Sequence, residues 1–379
     1  MTALRIACVF GTAAAGTGVH VAMLAEGCAA RGLTVTAFGP AETWRRFFRG
    51  AAGDQGGVRF TAVDIADRPR PAADAATVLR LRRLLATAAP DVVHAHGMRA
   101  GAVAAAALTR WPRTGPALVV TVHNAAPDGG LARAVYAGLE RVIARRADAV
   151  LCASGDLALR MRRLGVRDVE QAVVPAPAAG QPTAEAAAKA RAAIGAAGRP
   201  MILAVGRLAA QKGYGVLLDA AAAWRDMEPP PLLVLVGEGP LAGQLAETAR
   251  RSGLDVAFPG RRDDVPTLMA AADVFVMPSV WEARALVIQE ALRAGLPVVA
   301  SRVGGIPDLT GEDAALLVPP RDSGQLAAAV LSVLQDADLA RRLSAAAQDR
   351  ARALPSEADA LDAAVAVYRR LAACRGLPG

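Results

Sequence analysis

Short apolar runs alternate along the chain with longer segments in which apolar residues recur at helical spacing. The runs from Leu4 to Phe10 and from Val35 to Phe38 are predicted strands, and the segment between them has the pattern of an amphipathic helix. The runs from Val274 to Val276 and from Val298 to Ala300 enclose a second predicted helix in the same way. Repeated strand, helix, strand units require parallel sheets that are covered by helices. The pattern therefore predicts an α/β fold with Rossmann-like sheets.

The length of 379 residues exceeds what one ordinary hydrophobic core supports, which predicts two domains. The stretch from Pro175 to Pro200 is rich in alanine, proline and glycine and is the predicted linker. We expect a Rossmann-like domain over residues 1–180, a second one over residues 181–355, and a last helix within residues 356–379. A hydrophobic content of 54% with 21% charged residues is typical of globular domains.

The stretch from Asp273 to Asp308 carries the most specific pattern. A predicted strand is broken by a Pro-Ser pair, and strong helix formers then run from Ala283 to Ala294. Glu282 precedes this predicted helix and Glu290 lies eight positions later, which is roughly 12 Å at the rise of an α-helix. That spacing is comparable to the span of a nucleotide sugar from a hexose hydroxyl to the ribose. The N–H groups of the first helical turn would suit a diphosphate.

This stretch resembles the signature of the retaining GT-B glycosyltransferases of family four, in which two glutamates are separated by seven residues. The resemblance implies that Glu282 contacts hydroxyls of the donor sugar and that Glu290 binds the ribose. Where the family has Gly-Phe-Gly after the first glutamate, this chain has no glycine, which reduces backbone freedom beside the phosphates. The resemblance places further donor contacts on the four residues that follow Glu282, which are Ala283, Arg284, Ala285 and Leu286.

A second motif follows the predicted strand from Met201 to Val205. Arg207 and Lys212 flank a turn that leads into a helix, so that two cations would face a helix N-terminus. A guanidinium and an ammonium together suit the diphosphate leaving group of a nucleotide sugar. The motif is similar to the Gly-Arg-Leu and Lys-Gly pattern of the same family. Lys212 is one of only two lysines in the chain, the other being Lys189.

The first loop of the chain, from Gly11 to Gly18, leaves several interpretations open. A Walker A motif would need a lysine where Thr17 stands, and a dinucleotide fingerprint would need a further glycine. A plain strand-to-helix turn also uses glycine. The resemblance to family four implies instead that Gly16 and Gly18 contact the donor.

All four histidines lie in the first half of the chain, at or near the carboxyl ends of predicted strands. Ligands gather at these ends in open parallel sheets. The resemblance assigns His123, two residues after Thr121, to the donor sugar near its reacting carbon. The resemblance places the acceptor near His20, His96 and Asn124. The family has Asn-Gly where this chain has Ala176 and Pro177, which we interpret as a difference in acceptor or donor detail.

The formal charge of +8 favours an anionic substrate or a membrane surface over nucleic acid, because the arginines are dispersed and aromatic residues make up only 4%. Residues 44–49 and 80–85 combine arginine with apolar residues, as interfacial segments do. No signal sequence or membrane span is predicted, and the four cysteines are scattered. We expect a cytoplasmic protein with peripheral contact at the inner face of the membrane.

The resemblance spans nearly the whole chain and is strongest over residues 201–320. It implies two Rossmann-like domains that face a central cleft, with the donor held by the second, the acceptor held by the first, and the last helix packed on the first. The expected reaction is retaining transfer of a sugar from a nucleotide sugar, without a metal or other cofactor, to a lipid carrier, glycan or small molecule. Two alternatives stay open: a nucleotide-sugar epimerase or pseudo-glycosyltransferase on the same scaffold, and a non-catalytic binding protein. An Asp-x-Asp at residues 336–338 is predicted to begin a helix rather than to bind a metal.

Overall fold

The computed structural model describes residues 3–13, 15–48, 57–66, 70–112, 115–125, 130–178 and 180–376. It divides into two compact units, the first formed by residues 1–175 with 355–379 and the second by residues 176–354. Each unit is built on one parallel sheet, so the predicted fold class of two Rossmann-like domains is confirmed.

The first unit contains a seven-stranded sheet with the strand order β3-β2-β1-β4-β5-β6-β7. Its strands are β1 (Arg5–Phe10), β2 (Thr34–Gly39), β3 (Val58–Ala62), β4 (Val92–His96), β5 (Ala117–Val122), β6 (Ala149–Cys152) and β7 (Val169–Gln171). The four strands β1, β4, β5 and β6 are almost wholly buried, as continuous apolar runs in a parallel sheet should be.

Helices connect these strands. They are α1 (Ala15–Ala30), α2 (Ala41–Phe47), α3 (Pro71–Ala88), α4 (Met98–Leu108), α5 (Gly130–Arg146) and α6 (Gly155–Arg163). The strand order runs one way from β1 to β3 and the other way from β4 to β7. Because parallel crossovers are right-handed, α1 and α2 cover one face of the sheet and α3 to α6 cover the other.

The second unit contains a six-stranded sheet with the order β10-β9-β8-β11-β12-β13. Its elements are α7 (Ala184–Ala193), β8 (Met201–Val205), α8 (Tyr214–Ala221), β9 (Leu232–Val236), α9 (Ala242–Arg251), β10 (Val256–Ala257), α10 (Val265–Ala271), β11 (Val274–Met277), α11 (Leu286–Arg293), β12 (Val298–Ser301), α12 (Ile306–Thr310), β13 (Leu316–Val318), α13 (Ser323–Gln335) and α14 (Ala337–Ala353). Two apolar clusters fill its two sides, and Asp336 caps α14 by accepting hydrogen bonds from two N–H groups of the first turn.

The last helix, α15 (Glu357–Ala373), belongs to the first unit and packs on α1, where the side chain of Leu361 lies against Gly27. Its Tyr368 is buried, and its hydroxyl lies 2.5 Å from Nδ1 of His94. The Nε2 atom of His94 lies 2.7 Å from the hydroxyl of Thr121, so both ring nitrogens have partners. This hydrogen-bonded chain fixes α15 to the centre of the first sheet.

Among the described residues we found no helix with the length and hydropathy of a membrane span.

Replacing Tyr368 by phenylalanine removes the hydroxyl and leaves a nitrogen of the buried His94 without its partner. We expect the variant to lose roughly 1–3 kcal/mol of unfolding free energy, which is the usual cost of an unsatisfied buried polar group. Urea unfolding followed by circular dichroism measures this loss. A change of less than about 0.5 kcal/mol would show that the bond to His94 does not hold the last helix.

Candidate functional site

The strand order of the second sheet reverses between β8 and β11, which are hydrogen-bonded neighbours. Ligands of open parallel sheets bind outside the carboxyl ends of the strands at such a point. The loop after β8 carries Arg207 and Lys212, and the loop after β11 carries Glu282. The topology therefore brings residues from two separate sequence motifs to one edge of the second unit.

Direct bonds join the two loops. The carbonyl of Gln211 accepts a hydrogen bond of 2.8 Å from the N–H of Val280, and the side-chain amide of Gln211 donates to the carbonyl of Trp281, also at 2.8 Å. The ammonium of Lys212 donates to Oε1 of Glu282 at 2.6 Å. The two loops thus form one structural unit, centred on an ion pair.

The carboxylate of Glu282 is held from two directions. The hydroxyl of Ser279, which is wholly buried, donates a hydrogen bond of 3.0 Å to the same oxygen that Lys212 contacts. Glu282 itself is only 7% exposed. A charge at that depth is tolerated only when it is paired and hydrogen-bonded, and both conditions are met here. The sequence motif identified Glu282 and Lys212 but did not indicate that they bind each other.

Two glycines allow the backbone to approach this carboxylate. At Gly213, with a φ of 65°, a Cβ atom would stand 2.0 Å from the carbonyl oxygen of Pro278. At Gly304, with a φ of 50°, it would stand 1.8 Å from the carbonyl oxygen of Glu282, which also accepts a hydrogen bond from the N–H of Gly305. No other residue type fits either position, so these glycines shape the site.

Arg207 lies beside the ion pair and is exposed. It makes no ion pair with any residue that the structure describes, whereas Lys212 is already paired. The neighbouring Gly206 packs against the hydroxyl of Tyr214 and the side chain of Lys212. Burial, reinforced by the charge of Glu282, raises the pKa of Tyr214, so its hydroxyl stays neutral. Arg207 is therefore an exposed cation of this edge that forms no ion pair with a described residue.

The helix after Glu282 begins later than the sequence predicted. It starts at Leu286 instead of Ala283, because the preceding residues form an irregular loop tied to Ser279, Lys212 and Gly305. The separation of roughly 12 Å that we derived from helical rise does not apply across this loop. No side chain caps the new N-terminus at Ala285.

Within this loop the three predicted donor contacts differ in character. Ala283 and Ala285 are 5% and 3% exposed, so their methyl groups fill the interior. Arg284 is half-buried, and its Nε atom has no hydrogen-bond partner among the described residues. Burial lowers the pKa of Arg284, and the charge of Asp308 acts in the opposite direction. Leu286 opens the helix.

Glu290 lies in the middle of α11 and faces a different recess. It lines a cavity of about 420 Å³ that is bordered by the linker and by α10, α11 and α14. Burial raises the pKa of Glu290, and the nearby Arg293 opposes that shift. A cavity of this volume is large enough for a small ligand. Arg207, Lys212 and Glu282 do not line it, so the structure does not join Glu290 to the ion pair through direct contacts.

The same helix grips the linker through two residues that the sequence motif did not single out. Gln289, wholly buried, accepts a hydrogen bond of 3.0 Å from the N–H of Ala176. Arg293, one turn later, donates to the carbonyls of Ala176 and Pro177, both at 2.8 Å. Side chains of α11 therefore bind the backbone of Ala176 and Pro177, the two residues that stand where the family has Asn-Gly. The only signal in the sequence is an amide on an otherwise apolar helix face.

In the first unit the structure gathers the histidines into one cluster. The ring centroids of His20, His96 and His123 lie 5.6–6.2 Å apart, and all three side chains are at least nine-tenths buried. His94 stacks 4.0 Å from His96. Three nitrogens, Nδ1 of His20, Nδ1 of His96 and Nε2 of His123, have no hydrogen-bond partner among the described residues. Asn124, which follows the cluster, is exposed.

Burial keeps this cluster neutral. It lowers the pKa of His94 to about 3 and of His123 to about 4, and it lowers those of His20 and His96 as well, with smaller contributions from the neighbouring imidazoles. A cavity of about 20 Å³ beside His20 has room for a water molecule but not for a sugar. The cluster can exchange hydrogen bonds with a neutral ligand. Among the described residues, no set of three or more histidine, cysteine, aspartate or glutamate side chains is arranged to hold a metal ion.

The predicted glycine loop is helical in the structure. Because α1 begins at Ala15, Gly16 and Gly18 lie in its first turns together with His20. A Cβ atom at Gly18 would stand 2.3 Å from the ring of Phe47. Packing against α2 therefore explains this glycine without a phosphate contact.

Two family models match the chain. The model described as "Glycosyl transferase 4-like domain" matches residues 15–177, and the model described as "Glycosyl transferases group 1" matches residues 199–336. The D-inositol 3-phosphate glycosyltransferase of Saccharomonospora viridis is 32% identical over 315 residues, which are 76% of this chain and 72% of that protein. The fold and these matches define the class of protein: the chain belongs to the GT-B glycosyltransferases of group 1, the family that the sequence motifs predicted.

Solved structures show the same fold. Sucrose-phosphate synthase from Thermosynechococcus elongatus has a TM-score of 0.81 at 26% identity, covering 98% of this chain and all of that one. Anabaena HepE, solved in complex with UDP-glucose, has a TM-score of 0.79 at 20% identity, covering 97% and 100%. The matches with five other curated relatives cover from 22% to 64% of those relatives' length.

Replacing Gly213 by alanine should disturb the paired loops. Alanine in a left-handed conformation costs about 1–2 kcal/mol, and the contact with the Pro278 carbonyl should add about 1–3 kcal/mol, as overpacking does. Gly253→Ala is the matched control, because Gly253 has a φ of 61° and nothing within 4 Å of a Cβ atom. Denaturant unfolding compares the two variants. Equal losses would mean that the close approach at Gly213 does not matter.

The neutral histidine cluster predicts a pH dependence of stability. The unfolded chain binds protons on histidine below about pH 6.5, while the folded chain does not until about pH 4 for His123. The unfolded state therefore holds more protons in this window, and stability falls as the pH is lowered through it, by up to about 1.4 kcal/mol per pH unit for each histidine. Urea unfolding at pH 7.5, 6.0 and 5.0 measures the slope. His96→Gln should lower that slope by one histidine's share, and an unchanged slope would contradict the assignment.

Proposed function

We propose that this protein transfers a sugar from a nucleotide-sugar donor to a hydroxyl acceptor, with retention of anomeric configuration and without a metal ion. The observation that carries the proposal is the arrangement at the reversal point of the second sheet. There an exposed guanidinium, Arg207, stands beside an ammonium that is fixed by a buried carboxylate, the Lys212–Glu282 pair. Membership of the glycosyltransferase family supports the reaction class.

In this proposal Arg207 and Lys212 bind the diphosphate and stabilise the charge that develops on it as the glycosidic bond breaks. Lys212 has three N–H donors and gives one of them to Glu282, so two remain for phosphate oxygens. Lys212 is held before the ligand arrives by its ion pair with Glu282. Preorganised charge of this kind is the largest single contribution in many active sites. The same role falls to a metal ion in other transferases, which is why we propose metal-independent chemistry.

Glu282 is the proposed ligand of the donor sugar. The bonds from Lys212 and Ser279 both use its Oε1 atom, and the other carboxylate oxygen is the acceptor that we assign to a sugar hydroxyl. Glu290 is the proposed ligand of the ribose because it is the second glutamate of the family motif, although the cavity that it lines is not bordered by Arg207, Lys212 or Glu282. Arg284, with an unpartnered Nε atom, is a further candidate for the donor.

His123 is the proposed orienting residue for the sugar near its reacting carbon. Its pKa of about 4 keeps the imidazole neutral at physiological pH, so it acts by hydrogen bonding rather than by charge. His96, His20 and Asn124 are the proposed acceptor side. We assign no covalent nucleophile. In the proposed front-face reaction the acceptor oxygen attacks the anomeric carbon, the bond to the diphosphate breaks, and a departing phosphate oxygen takes the acceptor's proton.

Replacement of the family's glycines by alanine gave the reason for considering a non-catalytic binding protein. The burial of the methyl groups of Ala283 and Ala285 supports a packing role for both residues, and we therefore favour the enzyme. UDP-glucose is the first donor to test, since it is bound in the Anabaena HepE structure. Thermal stabilisation by UDP-, GDP- and dTDP-sugars identifies the nucleotide by mass action.

Lys212→Ala should lower turnover of the accepted donor by roughly 10²-fold or more, because it removes a preorganised charge. The chain supplies a matched control in its one other lysine: Lys189 is exposed on α7, and Lys189→Ala should keep wild-type turnover. Release of nucleoside diphosphate measures turnover, and calorimetry with the donor measures binding. If Lys212→Ala stays within twofold of Lys189→Ala, the proposed role of the cation pair is wrong.

Three further readouts of the same assay separate the alternatives. NMR of the product reports the anomeric configuration, and inversion would refute retention. Activity that is abolished by EDTA and restored by a divalent cation would refute metal independence. Donor binding without transfer to any acceptor would favour the binding protein, and a product without a new glycosidic bond would favour an epimerase or pseudo-glycosyltransferase.

A further inference from the structure

The excess positive charge of the chain is confined to one helical layer of the first unit. Helices α3, α4, α5 and α6 carry eleven arginines and three acidic residues. Their net charge is therefore +8, which equals the formal net charge of all 379 residues. The rest of the chain is balanced, so the basic character of this protein belongs to this layer alone.

The three acidic side chains of the layer are already bonded. Asp74 accepts from Arg99 at 2.6 Å, Glu140 accepts from Arg160 at 2.5 Å, and Asp156 accepts from the hydroxyl of Ser154. With eleven arginines and three carboxylates, eight arginines of the layer have no acidic counterpart on it. Seven arginines of the layer are exposed and make no ion pair with a described residue, and these are Arg80, Arg83, Arg133, Arg141, Arg145, Arg162 and Arg163.

The four helices form one continuous layer. Nine of the eleven residues of α4 are buried. Arg82 of α3 donates to the carbonyls of Ala106 and Ala107, and Arg146 of α5 donates to the carbonyl of Leu108, so both neighbours are fixed to the C-terminal end of α4. The ion pair between Arg160 and Glu140 fixes α6 to α5. The exposed arginines therefore share one surface.

The exposed large hydrophobic residues lie on the same surface. Across the described residues there are three, namely Leu79 at 52%, Val142 at 36% and Leu159 at 47% exposure. They lie on α3, α5 and α6 respectively, each within one helical turn of an exposed arginine. Scattered hydrophobic side chains are normal on a surface, but here all three lie on the layer in which arginines outnumber acidic residues by eight.

The two segments that the sequence suggested for membrane contact do not supply these apolar groups. In residues 44–49 the ring of Trp44 stacks on Phe48 at 4.2 Å and on Phe60 at 4.6 Å, and Arg49 lies outside the described residues. In residues 80–85 the side chains of Leu81 and Leu85 are wholly buried. The apolar residues of both segments pack inwards, and the exposed surface is set by tertiary structure.

We propose that the outer surface of α3, α5 and α6 docks on an anionic lipid bilayer. Guanidinium groups would contact lipid phosphates, and the three aliphatic side chains would enter the interfacial region. The aliphatic residues distinguish this partner from nucleic acid, which is bound through stacking aromatics and a groove. The inference concerns a surface without any residue assigned to sugar transfer, and it does not depend on the proposed function.

The test is sedimentation of the full chain with vesicles of pure phosphatidylcholine and vesicles containing 30% phosphatidylglycerol. We expect binding to the anionic vesicles only, and loss of that binding as salt is raised. The variant Arg80→Gln/Arg83→Gln/Arg141→Gln/Arg145→Gln should partition at least about 100-fold more weakly, since each arginine near an anionic surface contributes about fivefold. Leu79→Ser/Leu159→Ser should weaken binding while leaving its salt dependence intact.

The matched control removes four exposed arginines from the second unit: Arg225→Gln/Arg250→Gln/Arg251→Gln/Arg341→Gln has the same net charge as the first variant. It should bind vesicles within twofold of the wild type. Equal losses in the two variants would overturn the proposal, because net charge rather than this surface would then decide binding. Displacement of the protein from vesicles by a short RNA duplex at equal phosphate concentration would also overturn it, in favour of nucleic acid. Circular dichroism and the thermal shift with the donor verify that each variant is folded.

Discussion

One buried carboxylate organises the candidate site of the second unit. Glu282 stands at the reversal point of the sheet, where the loops after β8 and β11 meet. A carboxylate at this depth must be compensated, and Lys212 and Ser279 provide the compensation. Their bonds require the two loops to approach closely, which only glycine permits at position 213, and Gly304, after β12, gives the same close approach to the carbonyl of Glu282. The irregular loop after Glu282, and the late start of α11, follow from these constraints.

The first unit presents a different electrostatic environment. Its polar cluster consists of imidazoles that burial keeps neutral, with three nitrogens that no described residue satisfies. One histidine, His94, is excluded from ligand binding because Thr121 and Tyr368 occupy both of its nitrogens. The second unit thus carries an ion pair at its candidate site, whereas the first carries neutral hydrogen-bonding groups.

The arginines of the chain serve two purposes that sequence does not separate. Arg82, Arg146, Arg160 and Arg293 are structural, since they bond to backbone carbonyls or to a buried carboxylate and join neighbouring elements. Five others on α3, α5 and α6 have no such partner among the described residues and lie on a charged surface with exposed aliphatic residues; these are Arg80, Arg83, Arg133, Arg145 and Arg163. Arginine is suited to both purposes because its guanidinium is planar, always charged and has five donors.

The sequence by itself determined the α/β class, most of the strands and helices, and the family, because hydrophobic periodicity is local and the motif from Met201 to Pro320 is specific. It also selected Arg207, Lys212 and Glu282. It did not show that Lys212 and Glu282 are paired, that α11 begins at Leu286, that Gly18 packs on Phe47, or that Gln289 and Arg293 hold the linker. These features are contacts between residues that lie from 3 to 117 positions apart in the sequence. They form because buried charges and backbone groups need partners once the sheets have formed. Local pattern specifies the elements, and only their packing decides which polar groups are left free for a ligand.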